Sequence, residues 1–427
     1  MPQNDKKSVR DDKFKKGFMK SLSIQIGIFG KTNAGKSSLM NFITGQDASV
    51  VSEVAGTTTD VVSKQMELNP LGPVTFFDTA GLNDSSELGK ARIEKTNQTL
   101  DSSDVVLLMC EADNFNKFEE SIVKGAKKRK TPLIIIVSKT DLKKPSKKFL
   151  EQLKSYSSHI LSFSAKNSDR DDFLNDLKKI LVSVLPDNFI EEHFALKSIL
   201  KKDDTAILVV PIDSGAPRGK LIMPQVLALR QILDLNACAY VLQDSEYKNA
   251  LDNLKTIPYL VIADSQVIKN VAAQTPSYIR LTSFSILSAA DKGDIVEMAK
   301  GAAALQGLKS GDKVLIAEAC THHAMSDDIG KVKIPQWLKE FANADIIVKH
   351  SSGADFPKDL KSYKLVIHCG GCTLNRKGML ARINKAAETG VPITNYGIAI
   401  AVFGGVIDKV LEVFPEALKA YKSAVEK

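Results

Sequence analysis

SIQIGIFGKTNAGKSSLM, residues 23–40, decides the fold of the first part of the chain. An apolar, β-branched run ends at Phe29, a loop bracketed by Gly30 and Gly35 follows, and Lys36-Ser37-Ser38 opens a helical stretch. This is G-x-x-x-x-G-K-S set between a strand and a helix, the context in which that spacing builds a phosphate cradle. Backbone N–H groups of such a loop and of the helix start point at an anion, so Gly30, Asn33, Ala34, Gly35, Lys36, Ser37 and Ser38 are the candidate phosphate contacts. Lys36 is expected to reach the β- and γ-phosphates and Ser37 to bind Mg²⁺.

Working outward, short apolar runs alternate with polar helical stretches as far as Leu185-Pro186-Asp187. VTFFDTA, DVVLLMC, PLIIIVSK and HILSFSA continue the series begun by SIQIGIFG, the βαβ rhythm of a mostly parallel sheet. We draw the first domain at 22–187, behind a flexible basic tail at 1–21. A smaller α/β unit follows at 188–266, containing AILVVPIDSGAPRGKLIMPQVLALRQILD. A unit of that size buries a marginal core without a partner surface, so it is expected to be a dimerisation domain or a linker. From 267 to 427 a second α/β domain has KVLIAEAC, DIIVKHSS, KLVIHCG and VPITNYGIAIAV as its candidate strands.

Composition excludes several classes. The 427 residues, 44 % of them hydrophobic, are ordinary for a globular chain, and no apolar run reaches the ~18 residues of a membrane span. The basic N-terminus lacks a secretory apolar core, so the protein is expected to be cytoplasmic, with no membrane partner. Five cysteines, three of them clustered, read as metal-site usage in a reducing compartment and not as a disulfide framework. Cys110 and Cys238 lie in apolar runs and are expected to be buried, inert thiols. The formal net charge is +8, with seven Lys/Arg against three Asp in the first twenty residues. Such runs are usually solvated, and no nucleic-acid partner is expected from them.

Four more segments extend the nucleotide site, and together they resemble the Ras-like GTPases. Asp78-Thr79-Ala80-Gly81 resembles the D-x-x-G element, which implies that Asp78 contacts Mg²⁺ and Gly81 faces the γ-phosphate. Gly56-Thr57-Thr58-Thr59-Asp60 resembles switch I, with Thr58 the implied Mg²⁺ ligand. Ser138-Lys139-Thr140-Asp141 resembles the guanine reader N-K-x-D with Ser in place of Asn; Asp141 accepts both guanine N–H groups, which adenine lacks. Ser164-Ala165-Lys166 resembles the last guanine loop. Asn33 together with G-T-T-x-D is similar to the potassium-activated GTPases of tRNA modification and ribosome assembly, which implies a K⁺ ion held partly by Asn33. Leu82 stands where Ras-type proteins carry a catalytic Gln, so hydrolysis of GTP to GDP and phosphate is expected to be slow, resting on Lys36, Thr58 and Gly81.

The second constellation is Cys320-x-His322, then 45 residues, then His368-Cys369-x-x-Cys372. Thiolates and imidazoles so gathered suit an iron–sulfur cluster or a zinc ion. A C-x-H followed by so long a gap is unlike small zinc modules and favours a [4Fe–4S] cluster on Cys320, Cys369 and Cys372. His322, His368 and Glu318 are then the candidates for its fourth position, and a Cys₃His zinc site is the alternative. His323 and His350 read as surface or neighbouring histidines.

The order GTPase, small middle domain, C-x-H…H-C-x-x-C resembles the [FeFe]-hydrogenase maturation GTPases, the HydF family. The gap length lies inside that family's range, and PIDSGAPRGKLIMPQ (211–225) looks like its middle domain. The resemblance implies a homodimer, with a tetramer left open. It implies a scaffold or carrier on which the di-iron subcluster is loaded by two radical-SAM maturases and passed to apo-[FeFe]-hydrogenase, GTP hydrolysis regulating partner exchange. Competing readings are a ribosome- or tRNA-associated potassium-dependent GTPase with a structural zinc domain, a GTP-dependent zinc or nickel chaperone, and a redox enzyme.

Overall fold

The structure is a computed structural model and describes residues 23–45, 62–79, 96–185, 194–212, 221–319, 328–353, 356–357 and 359–426. The 1–21 tail, Thr58, Gly81, Cys320 and His322 lie outside the described residues. The chain divides into two compact units, Met1–Glu192 and His193–Lys427.

In the first unit the elements run β1 (Ile24–Phe29), α1 (Lys36–Thr44), β2 (Val62–Glu67), β3 (Pro73–Asp78), β4 (Val105–Glu111), α2 (Lys117–Lys128), β5 (Leu133–Ser138), α3 (Lys147–Lys154), β6 (Ile160–Ser162) and α4 (Arg170–Val184). The sheet order is β2-β3-β1-β4-β5-β6. All its pairings are parallel except β2 with β3. β1 (IQIGIF) is buried along its whole length, Gln25 included, as befits a central strand of a mostly parallel sheet. β2 was not anticipated. Its sequence, VSKQME, lies half-exposed at an edge and carries no apolar period. Local chemistry fixes the helix starts: Asn116 and Glu119 close a capping box on α2, and Asp169 accepts the N–H groups of Asp171 and Asp172 on α4.

The second unit continues with β7 (Thr205–Val209), α5 (Met223–Asp234), β8 (Cys238–Leu242), α6 (Tyr247–Asn253), β9 (Leu260–Ala263), α7 (Ile268–Gln274), β10 (Arg280–Ser283), α8 (Phe284–Lys292), α9 (Ile295–Ala302), β11 (Lys313–Glu318), α10 (Ile334–Ala342), β12 (Ile347–Ser352), β13 (Leu365–His368), α11 (Arg376–Thr389), β14 (Ile393–Asn395), α12 (Tyr396–Phe403), α13 (Ile407–Leu411) and α14 (Pro415–Val425). It holds two four-stranded parallel sheets, ordered β10-β9-β7-β8 and β12-β11-β13-β14. Val209, Val261 and Leu281 of one sheet and Val314, Ile316, Val366 and Ile393 of the other belong to a single buried cluster. The middle stretch thus finds within its own chain the apolar cover that its size demands.

Three expectations change here. The boundary at 266 falls inside a sheet, because β10 pairs in register with β9, Arg280 opposite Leu260. The helix just past that boundary, α7, is the crossover between these two strands. In VPITNYGIAIAV only Ile393–Asn395 is strand; from Tyr396 the chain is helical, Asn395 accepting the N–H groups of Gly397 and Ile398. A helix buried from Tyr396 to Val402 is apolar all round, so its sequence shows no period to separate it from a strand. Cys238 is exposed, because β8 is an edge strand. Cys110 is buried as expected, and burial pushes its thiol up to about 12. Among the described residues no helix is long and apolar enough to cross a membrane.

Candidate functional site

The nucleotide site is built where β1, β3 and β5 end. Gly30 sits so close to β4 that a Cβ there would lie 2.8 Å from the Met109 carbonyl. Gly35, at φ 93°, turns the loop into α1 in a conformation open to glycine. Asn33 takes a left-handed φ of 65° and is exposed. Lys36 is buried and its Nζ donates to the Lys31 carbonyl at 2.8 Å. Burial lowers its pKa, and Asp78 pulls it back up.

Asp78 closes β3 in register with Ile28 of β1. Its Oδ2 accepts the Ser37 hydroxyl at 2.5 Å, while Oδ1 is buried with no hydrogen-bond partner. Burial raises the Asp78 pKa; the Ser37 bond and Lys36 oppose it. A hydroxyl touching a carboxylate that keeps one buried oxygen unsatisfied is a donor set suited to Mg²⁺. The residues present therefore fit the ion, and Ser37 and Asp78 would hold it.

The base-reading segments also converge. Ser138 is buried at the end of β5, its hydroxyl donating to the Cys110 carbonyl at 3.3 Å. Lys139, at φ 56°, pairs with Glu111. The Thr140 N–H and hydroxyl both reach the Phe163 carbonyl at 3.4 Å, joining this turn to the last loop. There Ser164 Oγ accepts the N–H groups of Lys166 and Asn167 at 3.2 and 3.1 Å, which shapes Ser164-Ala165-Lys166 into a turn. Asp141 is exposed beside them.

In the second unit, β11 and β13 are neighbours, Ala317 opposite His368. β11 ends at Glu318, two residues before Cys320 in sequence, and β13 ends at His368, so the motif follows the carboxyl ends of adjacent strands, where open α/β sheets place ligands. Cys369 N–H continues the ladder to the Ala317 carbonyl at 2.9 Å. Cys369 Sγ accepts two N–H groups, from Ala319 at 3.2 Å and from Gly371 at 3.4 Å. Gly371 needs its φ of 63° to aim that bond. Ala319, which precedes Cys320 in sequence, also accepts the Thr373 hydroxyl at 3.1 Å. Burial pushes the Cys369 thiol up to about 11. Two cysteines of a C-x-x-C loop, with backbone N–H groups aimed at one sulfur, fit an iron–sulfur cluster. Cys369 and Cys372 would hold it. No group of three or more ligating side chains is present among the described residues.

His368 departs from its expected part. Its ring is fully buried, and both nitrogens are engaged: Nδ1 with the Cys369 carbonyl at 2.7 Å and Nε2 with Arg382 Nη1 at 2.9 Å. Since arginine only donates, Nε2 accepts and Nδ1 carries the proton, a tautomer assigned from these partners. Burial, then Arg382, pulls its pKa down to about 3, so the ring is neutral and shapes the loop, with no lone pair turned toward the thiols. Glu318 is buried at the end of β11, close to Tyr396: a Cβ on Gly330 would meet both side chains. His350 is exposed on the edge strand β12. Lys292 and Arg382, which approach the cysteines through other elements, carried no sequence signal; a lone Lys ending the apolar FSILSAADK was the only trace.

Comparison with known proteins adds the following. Residues 25–139 match the family described as 50S ribosome-binding GTPase, residues 195–293 the hydrogen maturase F dimerization domain, and residues 296–413 the hydrogen maturase F tetramerization domain. The tRNA modification GTPase MnmE of Prochlorococcus marinus (strain NATL1A) is 33 % identical over 174 residues, 39 % of this chain and 37 % of its own length. GTPase Der of Mycoplasmopsis pulmonis (strain UAB CTIP) is 35 % identical over 176 residues, 38 % of this chain and 39 % of its own. The chain thus spans less than half the length of these curated relatives. Among solved structures, a variant of Era from Aquifex aeolicus bound to GDP.AlF4- gives a TM-score of 0.32 at 21 % identity, covering 51 % of this chain and 92 % of that one. With a GTPase domain followed in one chain by the dimerization and tetramerization domains of hydrogen maturase F, this protein belongs to the hydrogen maturase F family.

Proposed function

We propose that the protein is a GTP-hydrolysing scaffold for [FeFe]-hydrogenase maturation. It carries a [4Fe–4S] cluster on Cys320, Cys369 and Cys372, assembles or holds the di-iron subcluster beside it, and delivers that cargo to apo-hydrogenase after loading by two radical-SAM maturases. The observation that carries this reading is the Cys369–Cys372 loop at the carboxyl edge of β11 and β13, with two N–H groups on one sulfur, inside the region that matches a hydrogen maturase F domain. Of the fourth-ligand candidates His322, His368 and Glu318, we favour His322 and Glu318, because both ring nitrogens of His368 are already engaged. In the nucleotide unit, Ser37, Thr58 and Asp78 bind Mg²⁺, Asn33 helps to hold K⁺, and the GTP cycle regulates partner exchange.

The oligomer forms partly through β8. This strand is an edge whose Tyr240 and Val241 are 47 % and 44 % exposed, and an apolar edge with unpaired backbone groups is a template for a second copy. Cytoplasmic residence follows from the same reading of the thiols.

Co-expression tests the whole account. Hydrogenase made with the two radical-SAM maturases and this chain is expected to evolve H₂, and to fall to background when the chain is omitted or carries Cys372→Ser. Full activity without the chain, or with that variant, would overturn the scaffold role.

A further inference from the structure

α8 ends against the Cys369–Cys372 loop. Ser288 Oγ donates to the Gly370 carbonyl at 2.8 Å, and Lys292 Nζ to the Gly371 carbonyl at 3.0 Å. From another element, Arg382 of α11 donates to His368 Nε2 at 2.9 Å and to the Gly353 carbonyl, and its guanidinium lies over the Phe356 ring. Both cations are buried, at 8 % and 9 % exposure. A buried cation is costly unless an opposite charge meets it. Asp291, beside Lys292 in sequence, supplies part of that charge. Yet it also accepts the Ala195 N–H at 2.6 Å and Gln231 Nε2 at 2.8 Å, which tie it to the start of the unit and to α5. The other groups in reach that become anionic, as thiolates when they bind metal, are the sulfurs of Cys369 and Cys372. Burial lowers the pKa of Lys292, opposed by Cys372, Asp291 and Cys369, and burial lowers that of Arg382, opposed by Cys369.

We infer that Lys292, assisted by Arg382, is the positioning charge that sets the reduction potential of the metal centre on Cys369 and Cys372. This rests on the iron–sulfur reading above. A [4Fe–4S] core in its oxidised state, held by three thiolates, is a monoanion; one electron from an external donor such as dithionite makes it a dianion. Fixed positive charge in a low-dielectric setting stabilises the dianion more, so Lys292 and Arg382 raise the potential. Ser288 provides the internal comparison, because it anchors the same loop from the same helix through a neutral bond.

The test is an EPR-monitored redox titration of the full chain after anaerobic reconstitution, with iron content measured alongside. Lys292→Met is expected to keep its iron and to lower the midpoint so that the reduced-to-oxidised ratio at the wild-type midpoint falls about tenfold, about 59 mV for a one-electron couple. Arg382→Gln is expected to move in the same direction, and Ser288→Ala to stay near wild type. If Lys292→Met loses its iron, Lys292→Arg decides: it should hold the cluster near the wild-type midpoint. A midpoint unchanged in Lys292→Met, a shift as large in Ser288→Ala, or a low midpoint in Lys292→Arg overturns the inference while leaving the cluster in place. A wild type that binds zinc and no iron overturns the iron–sulfur reading itself.

Discussion

Lys36→Ala is expected to reduce GTP turnover by roughly 10²–10³-fold, the scale on which loss of one preorganised charge-stabilising donor is felt. The reason is local. Lys36 stands at the first turn of α1, buried and held by the Lys31 carbonyl, with Asp78 and Ser37 beside it. No other described side chain of the phosphate loop places an ammonium there, since Lys31 itself is turned toward Glu119 at 3.5 Å. Phosphate release measured at saturating GTP, with the thermal unfolding profile as a control for folding, checks this. Turnover within about threefold of wild type would mean that the loop does not grip the transferred phosphate as G-x-x-x-x-G-K-S implies.

Gly301→Ala is expected to be the most damaging single methyl group in the second unit. α9 crosses β14 so closely that a Cβ on Gly301 would sit 2.1 Å from the Ile393 carbonyl oxygen and 2.7 Å from its carbon. Both obstacles are backbone, and β14 is pinned by its pairing with β13, Ile393 opposite Val366. Overpacking of this kind costs about 3 kcal/mol or more. For a unit of this size that lowers the melting temperature by roughly 6–12 °C, as scanning calorimetry would record. Gly307→Ala, where a Cβ meets nothing within 4 Å, should leave it unchanged. Equal melting of the two variants would show that α9 and β14 do not approach as described.

What could be read in the sequence divides along physical lines. The phosphate loop was legible because its chemistry is contiguous: the spacing from Gly30 to Ser37 is itself the device. The meeting of β11 and β13 was legible in part, since both motif halves follow apolar runs and such runs end where ligands sit. β2 was not legible, because an exposed edge strand has no apolar period to betray it. The identity of α12 was hidden by the opposite excess, apolar residues on every side. His368 looked like a ligand from its neighbours in sequence, whereas its state is set by Arg382, fourteen residues away, which occupies Nε2. Lys292 belongs to the same class. The carbonyl it holds lies 79 residues further on, and no local pattern reports a contact of that range.

The central claim is that the second unit carries an iron–sulfur cluster on its clustered cysteines. Anaerobic reconstitution with iron and sulfide, followed by visible and EPR spectra of the wild type and of Cys320→Ala, Cys369→Ala and Cys372→Ala, tests it most directly. The account predicts a brown protein with a reducible [4Fe–4S] signal that disappears in each of the three variants. A colourless wild type holding zinc, or a cluster signal that survives Cys369→Ala and Cys372→Ala, would contradict it.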